Sequence, residues 1–190
     1  VCSSDLCKVS FERSGKNLDY LELATLAASA PAFRSIFDCN DNRFLSPDDM
    51  PSAIASWCRD TNQPEPESEG QFIRSCLESL AIKYGRVLRG LQKLTGVPIE
   101  VLHIVGGGTK NELLNQFTAN ACGCPVVTGP VEATALGNVL IQARSSGEIN
   151  TLDEIRSVVR RSSDLGRYEP ANQDQWQAAD ARLSELSALL

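Results

Sequence analysis

Three consecutive glycines, Gly106-Gly107-Gly108, followed by Thr109, Lys110 and Asn111, constrain this chain more than any other stretch. Before them runs Ile99-Glu100-Val101-Leu102-His103-Ile104-Val105, apolar, rich in β-branched residues and bounded by Pro98. Its composition predicts a buried strand over 99–105. After them, Leu113, Leu114, Phe117 and Ala121 fall at helical spacing up to Cys122, which predicts a helix over 110–122. A strand that stops at glycines and restarts as a helix leaves backbone N–H groups at the positive end of a helix, where phosphate oxygens bind. Glycine runs also build tight turns that hold no ligand, so the motif alone leaves both readings open.

The wider composition narrows the field. A net charge of −6 over 190 residues argues against nonspecific binding to nucleic acid or to an anionic membrane. No apolar run approaches the roughly 20 residues that span a bilayer, and no N-terminal stretch has the pattern of a secretory signal. Seven cysteines are scattered along a long, helix-rich sequence, which fits a reduced, cytoplasmic protein better than a disulfide scaffold. Cys58 and Cys76 flank a Pro-rich loop and could meet across a helical hairpin, or be two half-buried thiols. Cys122-Gly123-Cys124 is too isolated for zinc, with His103 the single histidine.

Read in order, Val1 to Leu6 look foreign: they match the translation of a common sequencing adapter. The expected division is a non-native scar at 1–6 and a partial domain at 7–190, its true N-terminal part unread. A short helix is predicted from about Cys7 to Gly15. Asp19 with Glu22 forms a capping-box pattern that opens a helix to about Ser29, ended by Pro31. Within the loop 36–51, Asp38, Asn40, Asn42 and Asp49 imitate calcium-loop spacing. Arg43 stands where the turn needs glycine, and Pro47 and Pro51 disturb the exit, so an ordinary acidic turn cluster is expected.

Residues 51–61 predict a helix around Trp57, and 61–70 a connector. The longest predicted element, about Glu69 to Thr95, carries Phe72, Ile73, Leu77, Leu80, Ala81, Tyr84, Val87, Leu88, Leu91 and Leu94 as one core-facing stripe, with Gly96 as its cap and Pro98 as its stop. Beyond the glycine unit come a second strand at Pro125–Thr128, a helix over Ala133–Ser146, a helix over 151–162 and a terminal helix over 172–189 around Trp176, Leu183, Leu186 and Leu190. Strand–helix–strand–helix in so short a span implies parallel pairing. Gly137, inside a helix, costs roughly 1 kcal/mol against alanine, so close packing against a neighbour is expected there. Two strands make too small a sheet to stand alone.

Leu102 to Gln116, together with Gly129-Pro130-Val131-Glu132-Ala133-Thr134-Ala135-Leu136-Gly137-Asn138, resemble the C-terminal domain of the FGGY carbohydrate kinases. Asp38 to Met50, Glu78-Ser79-Leu80-Ala81 and Tyr168-Glu169-Pro170 extend the resemblance over nearly everything after residue 7. It implies an α/β, actin-like or ribonuclease-H-like ATPase fold, here the C-terminal domain only, helix-rich with an incomplete sheet. It implies ATP and Mg2+ as cofactors, and a ketose substrate, with L-rhamnulose favoured by the wording of the motifs. It also implies a partner in the missing N-terminal kinase domain, which would hold the catalytic base and the sugar pocket, so this fragment alone is expected to be inactive.

Carried over by resemblance, Gly106, Gly107 and Gly108 would lie against the nucleotide phosphates, Gly107 nearest the α-phosphate, and Asn111 would border the base. Asn111 offers both a donor and an acceptor for that purpose. Lys110 reads as a solvated first-turn lysine, Thr109 as a helix cap, and His103 as a strand residue without a catalytic role. Glu132 is expected to interact with the start of the following helix, and Asn115 and Gln116 to bond at the helix surface or between helices. Other readings are a kinase of xylulose, gluconate, fuculose or glycerol, and a non-catalytic actin-like nucleotide module. A dinucleotide oxidoreductase is the weakest, because the glycines lack G-x-G-x-x-G spacing and no acidic residue ends the second strand.

Overall fold

The computed structural model describes residues 3–190. Its helices are α1 (Ser3–Arg13), α2 (Tyr20–Ser29), α3 (Met50–Asp60), α4 (Glu69–Thr95), α5 (Glu112–Cys122), α6 (Ala133–Ser145), α7 (Leu152–Ser162) and α8 (Gln173–Ser187). The strands are β1 (Leu102–Ile104), β2 (Val126–Thr128) and β3 (Arg167–Tyr168). Val1 and Cys2, part of the stretch read as foreign, lie outside the described residues, whereas Ser3–Leu6 form the first turn of α1.

Helix α4 is the axis of the core. Ser68 caps its start and Gly96, in the left-handed region at φ 69°, closes its end with an N–H to the Gln92 carbonyl. Its Ile73, Cys76, Leu77, Ala81 and Ile82 are buried with Leu23 and Ala27 of α2, Ile54 and Trp57 of α3, Phe117 of α5, and Trp176 and Leu183 of α8. Trp57 keeps its indole satisfied by donating to the Ile36 carbonyl at 3.0 Å. Gly85 lets α5 approach, since a Cβ there would stand 2.6 Å from the Ala121 carbonyl oxygen.

The predicted core stripe holds only for the first two thirds of α4. Tyr84, Val87, Leu91 and Leu94 are exposed, Leu94 to 85%. The reason is geometric: α5 and α8 reach α4 at Gly85, Arg86 and Arg89, where both arginines pair with Asp180, and Leu88 is its last fully buried residue.

Among the described residues, Glu78 brings a charge into this core together with its partner Arg74. Glu78, 1% exposed, accepts from Arg74 Nε at 2.7 Å and from the Phe33 N–H at 2.8 Å. Burial pushes its carboxyl above the usual range, and Arg74 opposes that shift. Arg182 of α8 completes the junction by donating to the Phe33 carbonyl at 2.8 Å.

Local chemistry accounts for the loops. Asp19 and Glu22 make the predicted capping box. In the acidic loop, Asp38 accepts from the Asn40 N–H, Asp41 from the Arg43 N–H and Asp49 from the Ser52 N–H, each at 2.9 Å. These carboxylates close a turn, a 3-10 segment at Asn42–Phe44 and the start of α3. Cys58 is a buried free thiol and does not pair with Cys76, which faces Cys7 instead; burial pushes the Cys58 pKa up to about 11.

The sheet has three strands in the order β1-β2-β3. β1 and β2 are parallel, as predicted, with Leu102 opposite Val126 and Ile104 opposite Thr128. The third strand, antiparallel to β2 with Val126 opposite Tyr168, is an addition to the predicted pair. The expected buried strand over 99–105 shrinks to three residues and is only partly covered, with His103 exposed, because β1 is an edge bordered by β2 alone. Helices α6 and α7 lie at the periphery: α6 buries only Leu140, and α7 buries no residue. The close packing expected at Gly137 is absent, since a Cβ there meets nothing within 4 Å.

Candidate functional site

Where β1 and β2 end, their two following turns are tied together. Gly129 N–H donates to the Ile104 carbonyl at 2.7 Å, and Gly106 N–H donates to the Pro130 carbonyl at 3.0 Å. A Cβ at Gly129 would stand 2.7 Å from Val105 Cγ1, so that glycine permits the approach. Gly106, at φ 83° and ψ −163°, occupies backbone space that is essentially reserved for glycine.

The chain then makes a 3-10 turn, Gly107–Lys110. Thr109 closes it twice on the Gly106 carbonyl, through its N–H at 3.1 Å and its hydroxyl at 2.8 Å. The amides of Gly107 and Gly108 open this turn, where no intrahelical acceptor exists. Both residues are exposed. Gly107 has neither a positive φ nor a neighbour: a Cβ there would meet nothing within 4 Å. Nothing among the described residues therefore requires glycine at 107, and its bare backbone faces open space.

Helix α5 begins at Glu112, two residues later than predicted, because the 3-10 turn intervenes. Asn111, and not Thr109, caps it, with Oδ1 accepting from the Leu114 N–H at 3.0 Å. The acceptor expected to serve a base is thus already engaged, and the side-chain NH2 is the polar group that remains. Asn115 lies in the interior, against the expectation of a surface or inter-helix role: it is 1% exposed, its Nδ2 donates to the Thr109 carbonyl at 2.9 Å, and its Oδ1 has no partner among the described residues. Gln116 bridges from α5 to the Glu169 carbonyl at 2.7 Å. Glu132 precedes α6 but makes no side-chain cap; only its carbonyl receives the Leu136 N–H, at 3.0 Å. Lys110 is exposed.

Beside the glycine turn lies a cleft of about 520 Å³, walled by Thr109 and Lys110 on one side, Gly129 to Glu132 and Leu136 on another, and Ser162, Ser163 and Asp164 at the end of α7 on the third. The Ser162–Asp164 wall escapes sequence reasoning, because it joins the site only through the path of α7 and carries no motif. The structure brings Gly106, Gly107, Gly108 and Asn111 into one continuous turn and sets the Gly129–Glu132 segment against it. An exposed row of amides beside a cleft of this size, lined by Pro130, Val131 and Leu136 as well as polar groups, can receive an anionic group attached to a larger organic body.

Comparisons with known proteins identify the family. The model of the FGGY family of carbohydrate kinases, C-terminal domain, matches residues 2–146. A rhamnulokinase of Bacteroides thetaiotaomicron is 50% identical over 160 residues, covering 84% of this chain and 33% of that protein. A rhamnulokinase of Klebsiella pneumoniae is 47% identical over 152 residues, covering 80% of this chain and 31% of that protein. The chain thus spans about a third of the length of the curated relatives it matches. Among solved structures, xylulose kinase from Rhodospirillum rubrum superposes with a TM-score of 0.69 at 14% identity, covering 98% of this chain and 37% of that one. Plasmodium falciparum glycerol kinase with ADP superposes at 0.66 with 18% identity, covering 95% and 36%. These two show the fold, the actin-like one that the resemblance implied. The chain belongs to the FGGY family of carbohydrate kinases and corresponds to its C-terminal domain.

Proposed function

We propose that this chain supplies the nucleotide-facing wall of an ATP-dependent sugar kinase that transfers the ATP γ-phosphate to the 1-hydroxyl of L-rhamnulose. The observation that carries the nucleotide part is Gly107, whose bare amide faces open space with no internal reason for glycine. Gly106 shapes the turn, Gly107 and Gly108 offer their N–H groups to phosphate oxygens, and the remaining NH2 of Asn111 lies at the edge of the base. The sugar rests on the 50% identity to a rhamnulokinase, because the xylulose and glycerol kinases share only the fold.

In this reading no described residue is the catalytic base. The base, the sugar pocket and the first phosphate loop belong to an N-terminal kinase domain, which is also the partner that covers the open edge of β1 and the exposed Val87, Leu91 and Leu94. Phosphoryl transfer needs both walls of such a cleft, so the chain alone is inactive. Mg2+ would accompany the ATP phosphates. The described residues contain no group of three or more His, Cys, Asp or Glu side chains able to hold a metal. Among the described residues no helix is long and apolar enough to cross a membrane. Because its ATP is available there, the kinase belongs to the cytoplasm in this reading. A full-length enzyme carrying this domain, assayed with ATP against L-rhamnulose, xylulose, fuculose, gluconate and glycerol, should give its highest kcat/KM with L-rhamnulose. A higher value with any other acceptor would overturn the substrate, and no transfer to any of them would overturn the kinase reading.

A further inference from the structure

We infer that Cys7 and Cys76 form a redox-sensitive pair that can close into a disulfide, stapling α1 to α4. Cys7 lies within α1 and Cys76 on the core face of α4, 0% and 1% exposed, with their sulfurs 3.8 Å apart across 69 residues of chain. Two sulfurs facing one another across a helix contact must close only from 3.8 Å to about 2.05 Å to bond.

Burial protects the pair, so oxidation needs an opening. The structure offers one: α1 sinks only Cys7 and Phe11 into the core, and elements with so few buried contacts detach locally at low cost. The oxidant is a low-molecular-weight disulfide such as oxidised glutathione. One cysteine gives its proton to solvent and attacks a sulfur of the oxidant, breaking that S–S bond and releasing one thiol. A mixed disulfide results. The other cysteine, deprotonated in turn, attacks the protein sulfur of the mixed disulfide and releases the second thiol. In sum, two cysteine thiols are oxidised to one disulfide and one small disulfide is reduced to two thiols. A closed loop of this length constrains the unfolded chain strongly, so the product resists unfolding more than the dithiol.

The test uses the chain with Cys2→Ser, incubated with oxidised glutathione, counted for remaining thiols by maleimide labelling and mass spectrometry, and mapped by peptide digestion. The expected result is the loss of two thiols, one dominant cross-link joining the peptides of Cys7 and Cys76, and a thermal midpoint raised by several degrees that dithiothreitol reverses. Cys7→Ser and Cys76→Ser should each keep every remaining thiol, and Cys58→Ser should behave as the parent. Retention of all thiols, a statistical mixture of cross-links like that of the urea-unfolded chain, or glutathione adducts without the Cys7–Cys76 link would each overturn the inference. Because mapping is done on a chain that retains both cysteines, the outcome does not depend on whether the serine variants fold.

Discussion

The side chain of Asn115 donates to the carbonyl of Thr109 at 2.9 Å, and Thr109 in turn donates its hydroxyl to the carbonyl of Gly106 at 2.8 Å. A buried amide thereby holds the glycine turn from beneath. Asn115→Ala removes the partner of a carbonyl and should destabilise the chain by about 1–3 kcal/mol. Urea unfolding measures it, and a change within about 0.5 kcal/mol, the range of ordinary surface substitutions, would show that the turn stands without Asn115.

Two helix-interior glycines should respond with opposite signs. Gly85→Ala forces a Cβ to 2.6 Å from the Ala121 carbonyl oxygen and pushes α5 away from α4, lowering the thermal midpoint. Gly137→Ala enters open space and should stabilise α6 by about 0.5–1 kcal/mol through helix propensity alone. Thermal melts of the two variants beside the parent decide it, and a destabilising Gly137→Ala would restore the close contact that the sequence suggested.

The Arg74–Glu78 pair belongs to the core, with side chains 13% and 1% exposed. Removing one partner strands a buried charge, so Arg74→Met should cost about 3–5 kcal/mol. The double variant Arg74→Met with Glu78→Leu should cost less than Arg74→Met alone. A double-mutant cycle with additive losses would contradict a coupled pair.

Acid should act through Asp49 and Glu78 with opposite signs. Hydrogen bonds from Ser52, with a further one from Ser10, hold the Asp49 carboxyl below its usual range. Its contribution is therefore present above the unfolded pKa, near 3.9, and is lost as pH falls through the lower folded value. Asp49→Asn should flatten the loss of stability below about pH 4. Glu78, raised by burial, carries a penalty that grows as pH rises from the unfolded value through the higher folded one, so its protonation works against acid unfolding. Midpoints against pH for parent and Asp49→Asn test this. Parallel curves would exclude Asp49 as a source of the acid limb.

Much of this was legible in the sequence, for reasons that differ by residue. Asp19 with Glu22, Gly96 with Pro98 and the period of α4 announce themselves because caps and amphipathic stripes are local. The glycine turn was legible because no other residue tolerates the conformation of Gly106. What escaped was non-local. Tyr84, Val87, Leu91 and Leu94 read as core because the apolar period records that a face is covered and not by what. β3 is two residues whose pairing depends on β2. Asn115 looks like any polar helix residue until the turn folds back over it. Ser162 to Asp164 reach the cleft only through the path of α7. Cys76 meets Cys7 and not Cys58, a matter of helix crossing that spacing along the chain cannot express.

The central claim, that the Gly106–Asn111 turn receives the phosphates of ATP, makes Gly107 the decisive position. Gly107→Val adds a side chain where the fold has room, so the thermal midpoint of the full-length kinase should stay within a degree or two of the parent. The same side chain occupies the space a phosphate would need. In that enzyme the KM for ATP should rise at least tenfold, with the KM for the sugar unchanged. Unaltered ATP kinetics, or equal rises in both KM values, would contradict the account.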